Sequence, residues 1–363
     1  MVSHPAHFHI FKNVVAELQK DGHETITVIR PKDMLEQLCI DAGVSYIKVK
    51  SRPNSGGKLR LGLSLVQRTI DVCKIVKRER PDLMIGSDGV IAVAGKLYGI
   101  PSFEFFDDDY EIIKLYADIF FPLYTGVIAP RVTDAGRFSY KKISFEGNKK
   151  LAYLWPTRFT PNKEKVSQYG IDPEKPYFLL RFAKLNAHHD GGVHGISKEV
   201  AQHLINMLST RGRVYVTSER ELEPQFEQYR LHINPLDIHH VMAYATLYIG
   251  DSQSMAVEAS MLGTPCLRFN DFVGSKKINV MEELEHVYGL TYGISSHEPE
   301  KLYEKIEELL AMPNLREEFQ ARRQKMLCDK IDVTAFLTWF LENYPESAEE
   351  ARKADEEFWK QFR

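Results

Sequence analysis

The sequence predicts an α/β protein made of two parallel-sheet domains joined by a linker. Short apolar runs of strand length alternate with stretches of helical periodicity in both halves of the chain, which is typical of parallel sheets covered by helices. Between residues 131 and 176 the sequence is basic and rich in proline, which indicates a connection between domains. The length of 363 residues suits roughly two domains. We therefore expect an N-terminal domain over 1–160, a linker over 161–176, a second domain over 177–330 and a helical tail over 331–363.

Composition and charge exclude several classes of protein. Hydrophobic residues make up 44% and charged residues 27% of the chain, the balance of a soluble globular protein. The net charge of -3 provides no basic field for nucleic acid. Four cysteines lie far apart without zinc spacing, so we predict buried thiols in a reducing cytoplasm. No apolar run approaches the ~20 residues of a membrane span, and no signal peptide is visible. We expect a cytoplasmic protein that contacts a membrane, if at all, only peripherally and at the inner face.

The chain opens with a loop and a helix that lack the usual preceding strand. A helix is predicted from about Phe8 to Lys20, followed by a strand at 25–29, and only Met1 to Ser3 precede the loop. In α/β folds such a loop and helix follow a strand. We therefore expect that most of the first strand is missing or that the true start lies upstream.

The next elements continue the alternation. A long helix is predicted over 61–79 and strands at 44–49, 83–85, 102–106 and 126–130. In the second half, strands are predicted at 177–182 and 214–218, and the chain beyond residue 275 is predicted to be helical.

An acidic turn follows the strand that ends at Phe106. Asp107, Asp108 and Asp109 lead directly into a helical pattern at Tyr110, so we predict that they cap the helix, where negative charge stabilises by roughly 0.3–1 kcal/mol. Contact of Asp107 or Asp108 with substrate is the second interpretation, and Asp107 is kept as a candidate catalytic residue. A metal site is the third.

Residues 247–268 form a strand, a turn, a helix and a second strand. A helix whose first turn contains Ser252, Gln253 and Ser254 presents backbone N–H groups and hydroxyls that suit a phosphate. Glu258 follows one to two turns later, where its carboxylate can accept hydrogen bonds from ribose hydroxyls. The alternative is an ordinary crossover helix with a surface glutamate.

This segment resembles the nucleotide-sugar signature of GT-B glycosyltransferases and of UDP-N-acetylglucosamine 2-epimerases. The positions in register are Asp251, Ser252, Glu258, Ala259, Leu262, Gly263 and Pro265. In those families the glutamate holds the ribose, so the resemblance implies that role for Glu258. Gln253 and Ser254 replace two glycines of the signature.

A second resemblance concerns the loop at 183–195, where GT-B enzymes bind the donor diphosphate. Arg181 and Lys184 would supply positive charge, and Gly191 and Gly192 close backbone contacts. His188 is a further candidate donor contact, as is Ser218 at the end of the next strand, because strand ends share one edge of the sheet. A zinc site is disfavoured by the glycines and the lack of a nearby cysteine, and a solvated loop is the remaining alternative.

The start of the chain resembles a family of predicted glycosyltransferases long described only as a domain of unknown function. The matching residues are His4, Pro5, Ala6, His7, His9, Phe11, Lys12 and Asn13. In the related enzyme that completes lipid II, a loop at this place faces the acceptor, which makes His7 a candidate general base, a role worth about 10²–10⁴ in rate. The alternative is that the histidines cap and pack the helix. Residues 149–154 resemble the family's strand at the end of the first domain.

Together, the resemblances imply a GT-B type fold, with two Rossmann-like parallel-sheet domains facing a central cleft and the tail packed on the first domain. They imply a metal-independent glycosyltransferase of hexosyltransferase type, without a cofactor. It would move a sugar from a nucleoside diphosphate, expected to be UDP, to a glycan or lipid-linked acceptor in surface polysaccharide synthesis. The alternatives are a 2-epimerase-like enzyme, whose G-T-R-P-E start is not found here, and a non-catalytic nucleotide-sugar-binding subunit.

Overall fold

The computed structural model describes residues 1–31, 34–50, 57–183, 195–274 and 277–363, and of residues 57–61 it describes the backbone alone. The chain forms two compact units. The first comprises Met1–Tyr153 and Lys330–Arg363, and the second comprises Leu154–Asp329. Each unit contains parallel strands that alternate with helices, so the predicted α/β class is confirmed.

The first unit is built from a series of short strands and longer helices. The strands are β1 (Val28–Ile29), β2 (Ile47–Lys48), β3 (Met84–Gly86), β4 (Ser102–Phe105), β5 (Gly126–Pro130) and β6 (Lys142–Phe145). The helices are α1 (Pro5–Lys20), α2 (Leu35–Asp41), α3 (Gly57–Glu79), α4 (Val90–Tyr98) and α5 (Tyr110–Phe120). The short helix α6 (Leu151–Leu154) follows at the boundary with the second unit.

The start of the chain lies along the edges of two parallel sheets of the first unit, β1-β2 and β3-β4-β5-β6. The Val2 N–H donates to the Val28 carbonyl at 2.9 Å, and Val2 forms an isolated parallel bridge with Ile29. The Met1 ammonium donates to the Ile85 carbonyl at 2.6 Å. Because Val2 runs parallel to β1, the loop that follows it lies at the carboxyl edge of the strands, where ligands of α/β proteins bind.

Two elements of the first unit differ from the sequence prediction. Helix α1 begins at Pro5 instead of Phe8, because the His4 Nδ1 atom accepts the Ala6 N–H at 3.2 Å and caps the helix. The prediction of a strand at 149–154 is wrong, because this stretch contains α6. The edge strand of the sheet is β6 instead. An apolar run this short has no clear period, and tertiary packing decides between helix and strand.

The second unit contains one parallel sheet in the order β11-β10-β9-β7-β8. Its strands are β7 (Tyr177–Phe182), β8 (Arg213–Ser218), β9 (Leu247–Gly250), β10 (Cys266–Phe269) and β11 (Thr291–Ile294). Its helices are α7 (Lys163–Ser167), α8 (Lys198–Ser209), α9 (Ile238–Tyr244), α10 (Gln253–Leu262), α11 (Asn279–Glu282), α12 (Pro299–Leu310) and α13 (Leu315–Asp329). The prediction of helix alone beyond residue 275 is wrong at β11, whose few residues gain their hydrogen bonds from β10.

Helix α10 lies in the interior of the second unit. It packs against β9, β10, α9 and α13, and every residue from Ala256 to Leu262 is buried. Gly263 ends the helix in the left-handed conformation, at φ 69°, which glycine adopts without steric cost. The first turn of the helix follows β9, so it lies at the carboxyl edge of the sheet.

The C-terminal tail belongs to the first unit. Its helices are α14 (Val333–Glu342), α15 (Glu346–Lys353) and α16 (Glu356–Trp359). The Thr338 hydroxyl donates to Glu17 of α1 at 3.0 Å, and the Thr334 hydroxyl donates to the Ala152 carbonyl at 2.6 Å. Within the described ranges, the helices are each too short or too polar to cross a bilayer.

Candidate functional site

The first turn of α10 has the geometry of an anion-binding helix start. Ser252 is the N-cap, and its hydroxyl accepts the Met255 N–H at 3.4 Å. A helix start concentrates partial positive charge and directs backbone N–H groups outward. Gln253, the first helical residue, accepts a hydrogen bond from the Arg268 guanidinium at 3.2 Å, which fixes its side chain beside this turn. Ser254 is the second helical residue.

Glu258 lies deeper in α10 and is buried, with 6% of its surface exposed. Its Oε2 atom lies 3.3 Å from the Nε2 atom of His239 on α9. His239 is itself buried, and the Phe159 ring packs edge-on against it at 6.0 Å between centroids. The alternative of a surface glutamate is therefore wrong. A buried carboxylate beside an imidazole has a defined position, as hydrogen bonding to a ribose requires.

Asp251, one residue before the cap, holds both ends of the loop that was predicted to bind the diphosphate. Its Oδ1 atom accepts the Ala183 N–H at 2.6 Å, and its Oδ2 atom accepts the Ile196 N–H at 3.2 Å. A Cβ atom at Gly195 would lie 2.4 Å from Oδ2, so this glycine permits the contact. Burial raises the pKa of Asp251 to about 6, against the lowering effect of the two N–H groups. Asp251 matches the nucleotide-sugar signature in sequence, but no local pattern indicated this structural role.

Arg181 and Ser218 lie on neighbouring strands at the same edge of the sheet. Arg181 is paired in register with Gly250 on one side, and Phe182 with Ser218 on the other. Arg181 forms an ion pair with Glu219, so its charge is partly compensated. The Ser218 hydroxyl donates to the Arg220 carbonyl at 2.7 Å and accepts the Arg220 N–H at 3.1 Å, which commits it to a local turn.

Arg220 is a cation of this edge that the sequence analysis missed. Its Nη2 atom donates to the Ile196 carbonyl at 2.9 Å, and its guanidinium lies over the Phe182 ring at 5.2 Å. Arg220 follows the end of β8 by two residues, and this position alone could have indicated from the sequence that it lies at the carboxyl edge of the sheet. Lys184, His188, Gly191 and Gly192 lie outside the described residues.

A cavity of about 210 Å³ adjoins β10 within the second unit. The buried Arg268 lines it and is paired with Glu285 at 2.7 Å. Phe272, Ile278 and Met281 form apolar parts of the wall. Arg268 also donates a hydrogen bond to Gln253 in the first turn of α10, so one side chain contacts both the cavity and this turn.

In the first unit, His7 lies in the first turn of α1 at the carboxyl edge. Burial, and then the positive charge of Lys149, lower the pKa of His7 well below its ordinary value, so the ring is neutral at neutral pH. The Ser3 hydroxyl lies 3.5 Å from His7 Nδ1 and donates to the Ser87 carbonyl at 3.2 Å. A hydroxyl that donates elsewhere can accept from Nδ1–H, which favours the tautomer with Nε2 as the proton acceptor.

Asp107 forms an ion pair with a buried lysine. Its carboxylate lies 3.0 Å from Lys149 Nζ, and Lys149, with 5% of its surface exposed, also donates to the Phe105 carbonyl at 3.3 Å. Burial alone would raise the pKa of Asp107, but the charges of Lys149 and Lys150 outweigh it and lower that pKa. Asp107 is therefore ionised. It does not cap α5, whose N-cap is a different residue.

The N-cap of α5 is Asp109. Its carboxylate accepts the Asp134 N–H at 2.7 Å and makes no side-chain capping bond to its own helix. The capping prediction for the acidic turn is therefore correct for the position of Asp109 but wrong for the hydrogen bond. Among the residues that the structure describes, no cluster of metal-ligating side chains is present.

Residues 2–278 match the family model described as Protein of unknown function (DUF354). The chain belongs to this family. The resemblance of the chain start is thereby confirmed. No curated protein matches the sequence.

Several solved structures have a similar fold. The glycotransferase of kitacinnamycin is 12% identical, with 94% of this chain and 97% of that chain covered and a TM-score of 0.62. The UDP-GlcNAc 2-epimerase from Neisseria meningitidis, bound to UDP-GlcNAc, is 16% identical, with coverage of 94% and 98% and a TM-score of 0.63. Acinetobacter baumannii MurG is 14% identical, with coverage of 94% and 98% and a TM-score of 0.57. These similarities confirm the predicted GT-B type of fold with two Rossmann-like domains.

Proposed function

We propose that this protein is a glycosyltransferase that moves a sugar from a nucleoside diphosphate, UDP in our proposal, to a glycan or lipid-linked acceptor of surface polysaccharide synthesis. The observation that carries the proposal is the capped start of α10 followed, one to two turns later, by the buried Glu258. One helix thus offers N–H groups to a diphosphate and a fixed carboxylate to a ribose. The solved structures of similar fold, a glycotransferase among them, support the same class of reaction.

The charge of the departing diphosphate would be compensated by groups of the second unit. The start of α10, Arg181 and Arg220 are the described contributors, and Lys184 and the glycines of the neighbouring loop are proposed to join them. Asp251 would act as a positioning residue, because it holds the ends of that loop beside α10. Preorganised positive groups of this kind stabilise the charge that develops on a leaving group.

On the acceptor side, we propose His7 as the general base. The acceptor hydroxyl attacks the anomeric carbon, the bond from that carbon to the diphosphate oxygen breaks, and the hydroxyl proton passes to Nε2 of the neutral His7 ring. Asp107 is proposed to act through Lys149, which it holds near His7 and which helps to keep the ring neutral.

The donor test is titration of the purified chain with UDP and UDP-N-acetylglucosamine by calorimetry, with Glu304→Gln on the exposed face of α12 as control. Binding to the wild type and the control, and weaker binding to Glu258→Gln, would support the proposal. Absence of binding at millimolar concentration would overturn it.

The activity test is incubation of the sugar nucleotide with and without an extract of membrane glycolipids. Release of UDP only in the presence of acceptor indicates a transferase. Conversion of the sugar nucleotide alone indicates a 2-epimerase, which the bound UDP-GlcNAc of the Neisseria meningitidis structure makes the second candidate. Binding without either reaction indicates a nucleotide-sugar-binding subunit.

A further inference from the structure

Helix α3 carries two buried polar residues on the face that packs into the core of the first unit. Ser64, Arg68, Val72 and Val76 follow each other at intervals of four residues and are all buried, so they form one stripe of the helix. The valines belong to the hydrophobic core with residues of α4. Toward the start of α3 the same stripe continues with the Ser64 hydroxyl and the Arg68 guanidinium. Burial of such polar and charged groups costs free energy unless they are hydrogen-bonded.

Three polar atoms of this pair have no partner among the described residues. They are the Ser64 Oγ atom and the Nε and Nη1 atoms of Arg68, which is only 6% exposed. A buried donor that lacks an acceptor costs about 1–3 kcal/mol, and more when it is charged. Nearly all buried polar groups in native proteins have a hydrogen-bond partner. Two neighbouring buried side chains with unsatisfied polar atoms on one helix face therefore indicate a ligand.

The Arg68 guanidinium reaches the carboxyl edge of the sheet. Its Nη2 atom lies 3.9 Å from Asp88 Oδ1, and Asp88 follows the end of β3 in the turn before α4. The preceding Ser87 accepts the hydrogen bond from Ser3, whose hydroxyl lies 3.5 Å from His7. A ligand at Arg68 would therefore lie on the same edge of the first unit as His7.

We propose that Arg68, together with Ser64 one turn earlier, binds an oxyanion of the acceptor, either a phosphate or a carboxylate. Asp88 faces one end of the guanidinium, and the Nε and Nη1 donors remain for the ligand. Either of these N–H groups can donate a charge-assisted hydrogen bond to an oxyanion oxygen, and such a bond is stronger than one between neutral groups. The acceptor role rests on the proposed transferase function, whereas binding of the oxyanion does not.

The test is calorimetric titration of the full chain with inorganic phosphate and, separately, with glucuronate, at constant ionic strength and in the presence of saturating UDP. UDP occupies the proposed site at α10, so the remaining anion binding reports on the first unit. Arg68→Gln is expected to weaken binding at least about tenfold, and Arg68→Lys is expected to lie between it and the wild type. The better of the two probes identifies the oxyanion as phosphate or carboxylate.

Two further variants control for charge and folding. Arg78→Gln removes an exposed cation from the same helix and is expected to bind like the wild type. Asp88→Asn removes the competing anion and keeps an oxygen for the Val90 N–H, so binding is expected to tighten about three- to tenfold. Because this change has the opposite sign, it cannot arise from a misfolded protein.

Equal binding by wild type and Arg68→Gln, or no binding by the wild type up to roughly 10 mM, would overturn the inference. If UDP fails to bind while phosphate or glucuronate binding still depends on Arg68, the proposed function is refuted and the oxyanion site is supported. If UDP binds and the binding of neither probe depends on Arg68, only the oxyanion site is refuted.

Discussion

Glu258 offers the sharpest test of the donor site, because the proposed contact pairs one carboxylate with the hydroxyls of one ribose. The carboxylate is buried beside His239 at 3.3 Å, so replacement by alanine would also remove the group that faces this imidazole and leave a cavity, which destabilises the fold. Glu258→Gln keeps the size of the side chain, removes its charge and replaces one of the two acceptor oxygens with an NH₂ donor. It is the preferred substitution for this reason.

The expected magnitude follows from the difference between charged and neutral hydrogen bonds. A bond to a charged group contributes about 1.5–3 kcal/mol, and a neutral one about 0.5–1.5 kcal/mol. Glu258→Gln should therefore weaken UDP binding by about 1–1.5 kcal/mol, or roughly five- to twelvefold in Kd.

The decisive measurement compares UDP with 2′,3′-dideoxyuridine diphosphate by calorimetry. The wild type should prefer UDP by about 10- to 150-fold, and Glu258→Gln by only about 2- to 12-fold. The exposed Glu304→Gln should retain the preference of the wild type. If the wild type binds both ligands equally, or if Glu258→Gln keeps the full preference, Glu258 does not hold the ribose and the reasoning is refuted.

Three further predictions concern catalysis, the donor loop and stability. His7→Asn should lower kcat by about 10²–10⁴ with an unchanged Kd for UDP, and a kcat near that of the wild type would contradict the general-base role. Because the pKa of Asp251 is raised to about 6, protonation below that pH removes an acceptor from the loop ends. Binding of UDP-N-acetylglucosamine, whose diphosphate does not titrate in this range, should therefore weaken between about pH 7 and 5 in the wild type and stay constant in Asp251→Asn. Parallel curves would contradict this. Burial raises the pKa of Glu104 to about 8 despite a hydrogen bond from Tyr116, so the folded state retains its proton and loses stability as pH rises from the unfolded pKa toward 8. Relative to the wild type, Glu104→Gln should gain on the order of 3 kcal/mol in unfolding free energy between about pH 5 and 8.5, and a constant difference in chemical denaturation across that range would refute the pKa.

The local pattern of apolar and polar residues determined the order of most helices and strands. The turn and helix that begin near Ser252 were predicted because small polar residues and a closing glycine frame an apolar run, and these signals act within one or two turns of chain. The strand β11 was missed for the complementary reason. Its few residues include Gly293, and they become a strand only because β10 supplies hydrogen-bond partners.

The sequence by itself determined the fold class, the family and the residues worth considering at the proposed donor site. The tertiary structure alone decided what each side chain does. It paired Asp107 with Lys149, 42 positions later, and Arg181 with Glu219, 38 positions later. It also buried Glu258 against His239 and brought Arg68 to Asp88. Charge pairs form across turns and neighbouring strands, where distance in space is unrelated to distance along the chain, so no local pattern encodes them.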